Sequence, residues 1–391
     1  MKRVLVIGGS VGGLMAALLL RKSGWDVTVY ERAVGDLSGR GAGLGVSAEL
    51  LDVMARAGAR FEPSAGIMQR AHAWMEKDGS IVFEHRRDLM ASAWTRVYQP
   101  LRAALPAAIY RQAMALERVE QSADAVEALF ADSTREQAQL LVGADGAYST
   151  VRKQYLPQVQ PRFANYVAWR GIVEERDLPH STLEALSGRI VFCFPRSEML
   201  LCMRVPGAVY FIWYRTIARA SLPDLFTDAA GKNHGVSIPP PLIRPQFVAQ
   251  MKAHAADVLP SAISTVVQKT AQPLLQAISD MESPRMTFGR VALLGDAAFV
   301  VRPHVAGGAG KAAVDARCLA DSLAAETDIA AALARYEERQ HEFGTRIVQH
   351  SRYLGADLEG RPTNRDPRRI IRDYGAPNIL HDVDPQTFPA A

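Results

Sequence analysis

The sequence predicts an α/β chain in which a parallel sheet is interrupted by an inserted antiparallel β-sheet and finished by C-terminal helices. Three observations carry that prediction. Arg3 to Ile7 is a short apolar run that enters Gly8-Gly9-Ser10-Val11-Gly12-Gly13 and continues into the helix-forming segment Leu14 to Lys22. Two further apolar runs, Leu140 to Val142 and Val291 to Leu294, end in Gly143-Ala144-Asp145-Gly146 and Gly295-Asp296, as strands do when they deliver polar groups to the carboxyl edge of a parallel sheet. From about Tyr166 to Met286 the pattern changes to short alternating runs separated by turns, without interposed helices until about Pro245, which reads as an antiparallel sheet.

Composition sets the outer bounds. A chain of 391 residues with 48% apolar and 22% charged residues has the make-up of a globular protein of two or three domains. Its 45 basic and 41 acidic residues nearly balance and form no lysine-rich run, so nucleic acid is not an expected partner. The three cysteines, Cys193, Cys202 and Cys318, lack Cys-x-x-Cys spacing, which argues against a disulfide framework or thiolate metal site and for a reducing cytoplasm. Glycines interrupt the apolar amino terminus, and no run of about 18 apolar residues suggests a membrane span.

Taken in order, the first glycine turn is followed by Gly24, the strand Trp25 to Tyr30 and then Glu31. This is the βαβ dinucleotide-binding layout, with an acidic residue where a ribose hydroxyl is expected. Ser10 occupies the middle glycine of the fingerprint; a small side chain or a hydroxyl bond to phosphate accommodates it. Residues 38–47 read as a second glycine-rich loop, in which Arg40 is either a pyrophosphate contact or a solvated arginine. A helix is expected over 48–57, a hairpin over 71–84, a helix from Tyr98 broken at Pro106, and strands over 118–130. Ser149 to Lys153 reads as a helix start behind Asp145-Gly146. Within the inserted sheet, period-2 alternation places Tyr210, Ile212 and Tyr214 on one face and Val209, Phe211 and Trp213 on the other. Residues 244–259 and 262–270 read as covering helices, 311–325 and 329–353 as the closing helices, and the chain beyond Leu358 as a poorly packed tail.

The late stretch Arg302-Pro303-His304 followed by Ala306-Gly307-Gly308-Ala309-Gly310-Lys311 opens a helix with several backbone N–H groups exposed, an arrangement suited to an anionic atom. Together with the first glycine turn, Asp145-Gly146 and Gly295-Asp296-Ala297-Ala298, it resembles the single-component (group A) flavoprotein aromatic monooxygenases of the p-hydroxybenzoate hydroxylase fold. Trp169-Arg170-Gly171 and Trp213-Tyr214 resemble most closely the hydroxypyridine-hydroxylating branch, the 2,6-dihydroxypyridine and 6-hydroxy-3-succinoylpyridine hydroxylases. The match runs to about residue 355. Ser10, Tyr98 in place of a frequent arginine, and Phe299 in place of the histidine of Gly-Asp-Ala-Ala-His depart from the family's pattern.

The resemblance implies a Rossmann-like FAD-binding domain over 1–73, 97–165 and 286–355, a substrate-binding β-sheet domain over 74–96 and 166–285, and a tail over 356–391. It implies FAD held by Gly8, Ser10, Gly12, Gly13, Glu31, Arg32, Arg40, Asp145, Gly146, Asp296, Pro303, Gly307, Gly308, Ala309 and Gly310. NADH or NADPH, O2 and a hydroxypyridine-like ring are the implied co-substrates, a homodimer is open, and no metal is implied. His304 is a candidate to bond or deprotonate a ring hydroxyl, or else a packing histidine. Tyr214 and Trp213 are candidates to stack on a planar substrate, or else core residues. Hydroxylation of a hydroxybenzoate, a same-fold flavin oxidoreductase without oxygen insertion, a nicotinamide dehydrogenase and a flavin-bearing redox sensor remain as rivals.

Overall fold

Leu5 and its neighbours Val4 and Val6 are fully buried, because their strand, Arg3–Ile7, lies inside a sheet covered on both faces. A computed structural model describes residues 2–37, 43–360 and 365–375. Its six-stranded sheet runs Thr287–Phe288, Val291–Leu293, Leu140–Gly143, Arg3–Ile7, Asp26–Tyr30, Tyr110–Arg111. All neighbours are parallel except the first pair. Parallel pairing sends every strand's carboxyl end to one edge. Gly8, Glu31, Ala144 and Leu294 therefore begin four turns side by side, tied by Gly8 N–H to Tyr30 O at 2.8 Å, Ala144 N–H to Ile7 O at 2.7 Å and Leu294 N–H to Gly143 O at 3.0 Å.

The first helix is Val11–Lys22, three residues longer at its start than the sequence suggests. Gly12 and Gly13 belong to the helix rather than to the turn, because they permit close packing: a Cβ on Gly13 would overlap Gly8 O, and one on Gly12 would lie 3.1 Å from Ala312 Cβ. The alanine-rich helix Gly308–Ala325 crosses there. Ile329–Gly355 packs outside it and is N-capped by the Asp328 carboxylate.

The second sheet runs Ser237–Ile238, Leu274–Glu282, Arg162–Glu174, Ala208–Thr216, Glu198–Val205, Arg189–Cys193, Gly66–Met75, Ile81–Ala93, Gly43–Val46. It is antiparallel apart from one parallel pair, Arg189–Cys193 with Gly66–Met75. The expected domain boundary at 73/74 falls inside the unbroken Gly66–Met75 strand. Part of the expected loop 38–47 is the edge strand Gly43–Val46, paired with Ile81–Ala93, while residues 38–42, Arg40 among them, lie outside the described residues. Two short helices, His180–Ala185 and Leu222–Leu225, interrupt the insert earlier than the sequence indicates. Both are too short to show a 3.6-residue period.

Alternation sorts this sheet's faces. Val167, Trp169, Val209, Phe211 and Trp213 pack with Ile263 and Val266 of the covering helix Ser261–Lys269. Tyr166, Ala168, Tyr210, Ile212 and Tyr214 lie on the opposite face, in one cluster with Leu358 and against Ala306. The tail expectation is corrected: Pro367–Asp373 is a helix, and Ile370, Ile371 and Tyr374 are buried in that same cluster. A short segment with three anchoring apolar residues gains enough by burial, about 1.5–3 kcal/mol for each large side chain, to hold despite its charged neighbours. Among the described residues no helix is long and apolar enough to cross a membrane, and the three cysteines are free and buried.

Candidate active site

At the carboxyl edge of the parallel sheet, Gly8 (φ +108°) turns so tightly that a Cβ would overlap Ala144 O. Only glycine tolerates both that φ and that approach. Ser10 is the N-cap of the first helix at φ −84°, ψ −175°, an extended conformation open to any residue, and its hydroxyl makes no cap bond. Serine in place of glycine therefore costs no backbone strain, and the helix start keeps its positive end open. Glu31 is buried and accepts from Gly9 N–H at 2.8 Å and Ala33 N–H at 2.9 Å. Each oxygen retains a lone pair for a hydroxyl. Arg32 beside it is exposed. Beneath Gly9 lies Tyr110, whose hydroxyl donates to Gly9 O at 3.3 Å; Tyr98 packs against Tyr110, and the Arg102 guanidinium sits 4.1 Å over the Tyr110 ring.

Asp145 is drawn into its own helix. It accepts from Ser149 Oγ at 2.5 Å and from Thr150 N–H at 2.7 Å, and burial raises its pKa against those bonds. Gly146 at φ +82° completes the turn with open space beside it. Arg152, buried, donates to Ala147 O at 2.6 Å and Ala297 O at 2.9 Å, joining the Asp145 turn to the Asp296 turn. Asp296 itself is accessible yet surrounded: desolvation raises its pKa, partly offset by the Lys311 charge. A reachable carboxylate in a crowded crevice is what a hydroxyl-bearing ligand requires.

Gly295 (φ +61°) is held by a fully buried ion pair. Lys311 Nζ donates to Asp315 Oδ2 at 2.7 Å and to Gly295 O at 3.1 Å, while Asp315 Oδ2 accepts from Gly295 N–H at 2.8 Å. Phe299 is also fully buried, packed on Gly344 with Lys311 Nζ 5.4 Å from its ring; in this chain the position serves the core. The helix Gly308–Ala325 starts at N-cap Gly307 without a side-chain cap, so the first-turn amides of Gly308, Ala309 and Gly310 are presented to the crevice. Two open helix starts, a ribose-placed carboxylate and a reachable second carboxylate along one edge fit a dinucleotide such as FAD.

Next to that helix start is a cavity of about 60 Å³, lined by Gly45, Arg170, Tyr210, Tyr214, Pro303 and Tyr374 among others. At roughly 10–15 Å³ per water it holds about one small ring. Its walls are apolar apart from tyrosine hydroxyls and a single charge, Arg170. Among the described residues no carboxylate lies within ion-pair distance of Arg170, and its buried Nε has no hydrogen-bond partner. Burial raises the Tyr210 pKa, and the Arg170 charge pulls it back. Tyr214 is fully buried with its hydroxyl unpartnered. Trp213 is a correction: it faces away, stacked on His254 at 5.4 Å, because consecutive strand residues point to opposite faces. Arg170 carried no expectation of its own, although a lone arginine within the apolar strand Tyr166 to Val173, in phase with Tyr166 and Ala168, was the available signal.

His304 is fully buried behind the cavity wall, 4.4 Å from Tyr214 ring to ring, with Nε2 on the Tyr166 hydroxyl at 2.8 Å. It does not line the cavity. Arg302, ion-paired with Asp280 at 2.7 Å, fixes the turn. Burial, then the Arg302 charge, pushes the His304 pKa well below its usual value; burial likewise holds His72 down to about 4 and lowers His350. Histidine in an unfolded chain titrates near 6.5. As pH falls through that value the unfolded chain gains protons that the folded sites refuse, so this stability is complete above about 6.5 and is lost toward pH 4. For His72 the loss by pH 5 is on the order of 2 kcal/mol. The raised carboxyls of Asp145 and Asp296 act in the opposite sense, so the urea midpoint is expected to fall from pH 7.5 to 5 more steeply in the wild type than in His72→Gln. Equal slopes would remove His72 from the pH response.

Residues 244–351 match the family described as FAD binding domain, and residues 163–280 the family described as FAD binding domain-like. The chain is 29% identical over 369 residues to the 2,6-dihydroxypyridine 3-monooxygenase of Paenarthrobacter nicotinovorans, covering 91% of each. It is 28% identical to the 6-hydroxynicotinate 3-monooxygenase of Bordetella bronchiseptica, over 89% of this chain and 90% of that one. The solved structure of 2,6-dihydroxypyridine-3-hydroxylase from Arthrobacter nicotinovorans superposes with a TM-score of 0.88 at 28% identity, covering 95% of this chain and 96% of the other. Over about nine-tenths of its length the chain is similar to monooxygenases that act on hydroxylated aromatic rings.

Proposed function

We propose that this monooxygenase hydroxylates an electron-rich hydroxypyridine of the 2,6-dihydroxypyridine or 6-hydroxy-3-succinoylpyridine type, using O2 and NADH or NADPH. The observation that carries the reading is the small cavity whose single charge, Arg170, has no ion-pair partner among the described residues. A hydroxypyridine carries an acidic ring hydroxyl or its tautomeric oxo group, and a guanidinium fork is the donor suited to such an oxygen. The activities of the two relatives, on a dihydroxypyridine and a hydroxynicotinate, support the same ring class.

The cofactor assignments belong to this reading. Gly8, Ser10, Gly12, Gly13, Glu31 and Arg32 hold the adenosine diphosphate half of FAD, and Asp145-Gly146 shapes the neighbouring turn. Asp296 accepts from the ribityl hydroxyls, and Pro303 with residues 307–310 meets the ring system. FAD supplies hydride acceptance and oxygen activation. The chain supplies the rest. Arg170 holds the ring oxygen as an anion, which enriches the carbon to be hydroxylated. Amides at the start of Gly308–Ala325 stabilise negative charge beside them. Tyr214 presents its hydroxyl to the ring, and the neutral His304, through Tyr166, orients that wall from behind.

A panel of hydroxypyridines and hydroxybenzoates scored for stimulated NADH oxidation, together with 18O incorporation from O2 into product, tests the reading. Hydroxypyridines are expected to stimulate oxidation and yield labelled product. A response confined to benzoates would transfer the assignment to that ring class, and stimulation without label would identify an oxidoreductase that inserts no oxygen.

A further inference from the structure

The segment Arg365–Gly375 lies well beyond the last strand of either sheet, yet it builds part of the ring cavity. Its helix Pro367–Asp373 packs on the Gly66–Met75 and Ile81–Ala93 strands, and Tyr374, only 4% exposed, lines the cavity opposite no other residue of its own segment. The Tyr374 ring meets Phe192 edge-on at 4.9 Å. Three buried histidines from three separate elements grip the segment's backbone. His72 Nδ1 lies 3.3 Å from Ile371 O, His350 Nε2 lies 3.1 Å from Asp373 O, and the His304 carbonyl accepts from Gly375 N–H at 3.0 Å. The last bond joins the segment to the turn that carries Pro303, another lining residue. A side chain held through its backbone at three points cannot retreat without breaking buried hydrogen bonds, and so the wall it makes is rigid.

We propose that Tyr374 is a specificity-determining wall, setting the size of ring substituent the enzyme accepts; the inference rests on the single-ring aromatic reading above. Rejection comes from geometry. A cavity of about 60 Å³ with a fixed aromatic side chain in its wall blocks a long acyl substituent on that side, so among hydroxypyridines it favours the compact dihydroxy ring over the acyl-chain type. Hydrophobic pockets discriminate by roughly 10–200-fold for each methylene group that does or does not fit.

The test uses the FAD-loaded full chain as wild type, Tyr374→Ala, Tyr374→Leu and Tyr374→Phe. Dissociation constants are read from the flavin absorbance change, and kcat/KM from product, for 2,6-dihydroxypyridine and for a 6-hydroxypyridine bearing a 3-acyl chain. Tyr374→Ala is expected to shift the ratio of kcat/KM toward the acyl ring at least tenfold, while Tyr374→Phe leaves it unchanged. Tyr374→Leu reads the same ratio if the alanine variant does not fold. An unchanged ratio in a folded Ala or Leu variant overturns the proposal. If no hydroxypyridine perturbs the wild-type flavin, the pyridine reading fails, and the same ratio measured with a small and a large hydroxybenzoate decides the wall.

Discussion

Arg170→Met is expected to weaken binding of the ring substrate by roughly 100-fold, with FAD content unchanged. A hydrogen bond to a charged group contributes about 1.5–3 kcal/mol, and each 1.4 kcal/mol is tenfold. The same substitution is expected to leave the fold about as stable, since it replaces a half-buried guanidinium whose buried Nε is unpartnered by an apolar chain of similar reach. Loss of binding with retained stability is the signature of a residue kept for ligand rather than for packing. Arg170→Lys should recover only part of the affinity, because a point charge lacks the planar fork. Titration of the substrate against flavin absorbance, with a urea midpoint for each variant, measures both quantities. Tight substrate binding by Arg170→Met would make Arg170 a structural residue.

Asp315→Ala should cost about 3–5 kcal/mol of stability, the range for breaking a buried ion pair from one side. It strands the Lys311 ammonium, fully buried, and leaves Gly295 N–H without its acceptor. Asp315→Asn keeps an acceptor for both donors and should cost less. Because Gly295 precedes Asp296, FAD should dissociate more readily from Asp315→Ala than from Asp315→Asn. Urea midpoints of the apoproteins and flavin content after gel filtration check the order. A midpoint for Asp315→Ala within about 1 kcal/mol of wild type would mean that the pair contributes little to the turn.

Both predictions concern residues that local sequence patterns treat as ordinary. The βαβ turn, Glu31 and the two strand-end aspartates were legible because their chemistry is local: a strand, a tight glycine turn and a helix start are consecutive in the chain. The period-2 pattern of 209–214 correctly separated Tyr214 from Trp213, but it did not say which face meets the cavity. That depends on which side the helices at 245–269 cover. Arg170 was visible as an oddity in an apolar strand, without a direction.

The positions of His304 and of the C-terminal segment were less accessible still. His304 follows Pro303 directly, and only the tertiary structure places one in the cavity wall and the other behind it, against Tyr166. The charges and prolines after Leu358 suggested a loose tail because composition weighs the average residue, whereas packing depends on the few that bind. Ile370, Ile371 and Tyr374 are enough, given three histidines from distant elements to receive the backbone.

By itself, then, the amino-acid sequence determined the α/β class, the glycine turns and carboxylates at one edge of the parallel sheet and the resemblance to the aromatic monooxygenases, since these follow from contiguous runs of glycines, apolar residues and carboxylates. The tertiary structure alone decided the face of the inserted sheet that meets the cavity, the buried position of His304, the Lys311–Asp315 support under Gly295 and the place of Tyr374 in the cavity wall. Each of these joins residues far apart in the chain, and burial, pairing and cavity shape are properties of such long-range contacts rather than of any segment read alone.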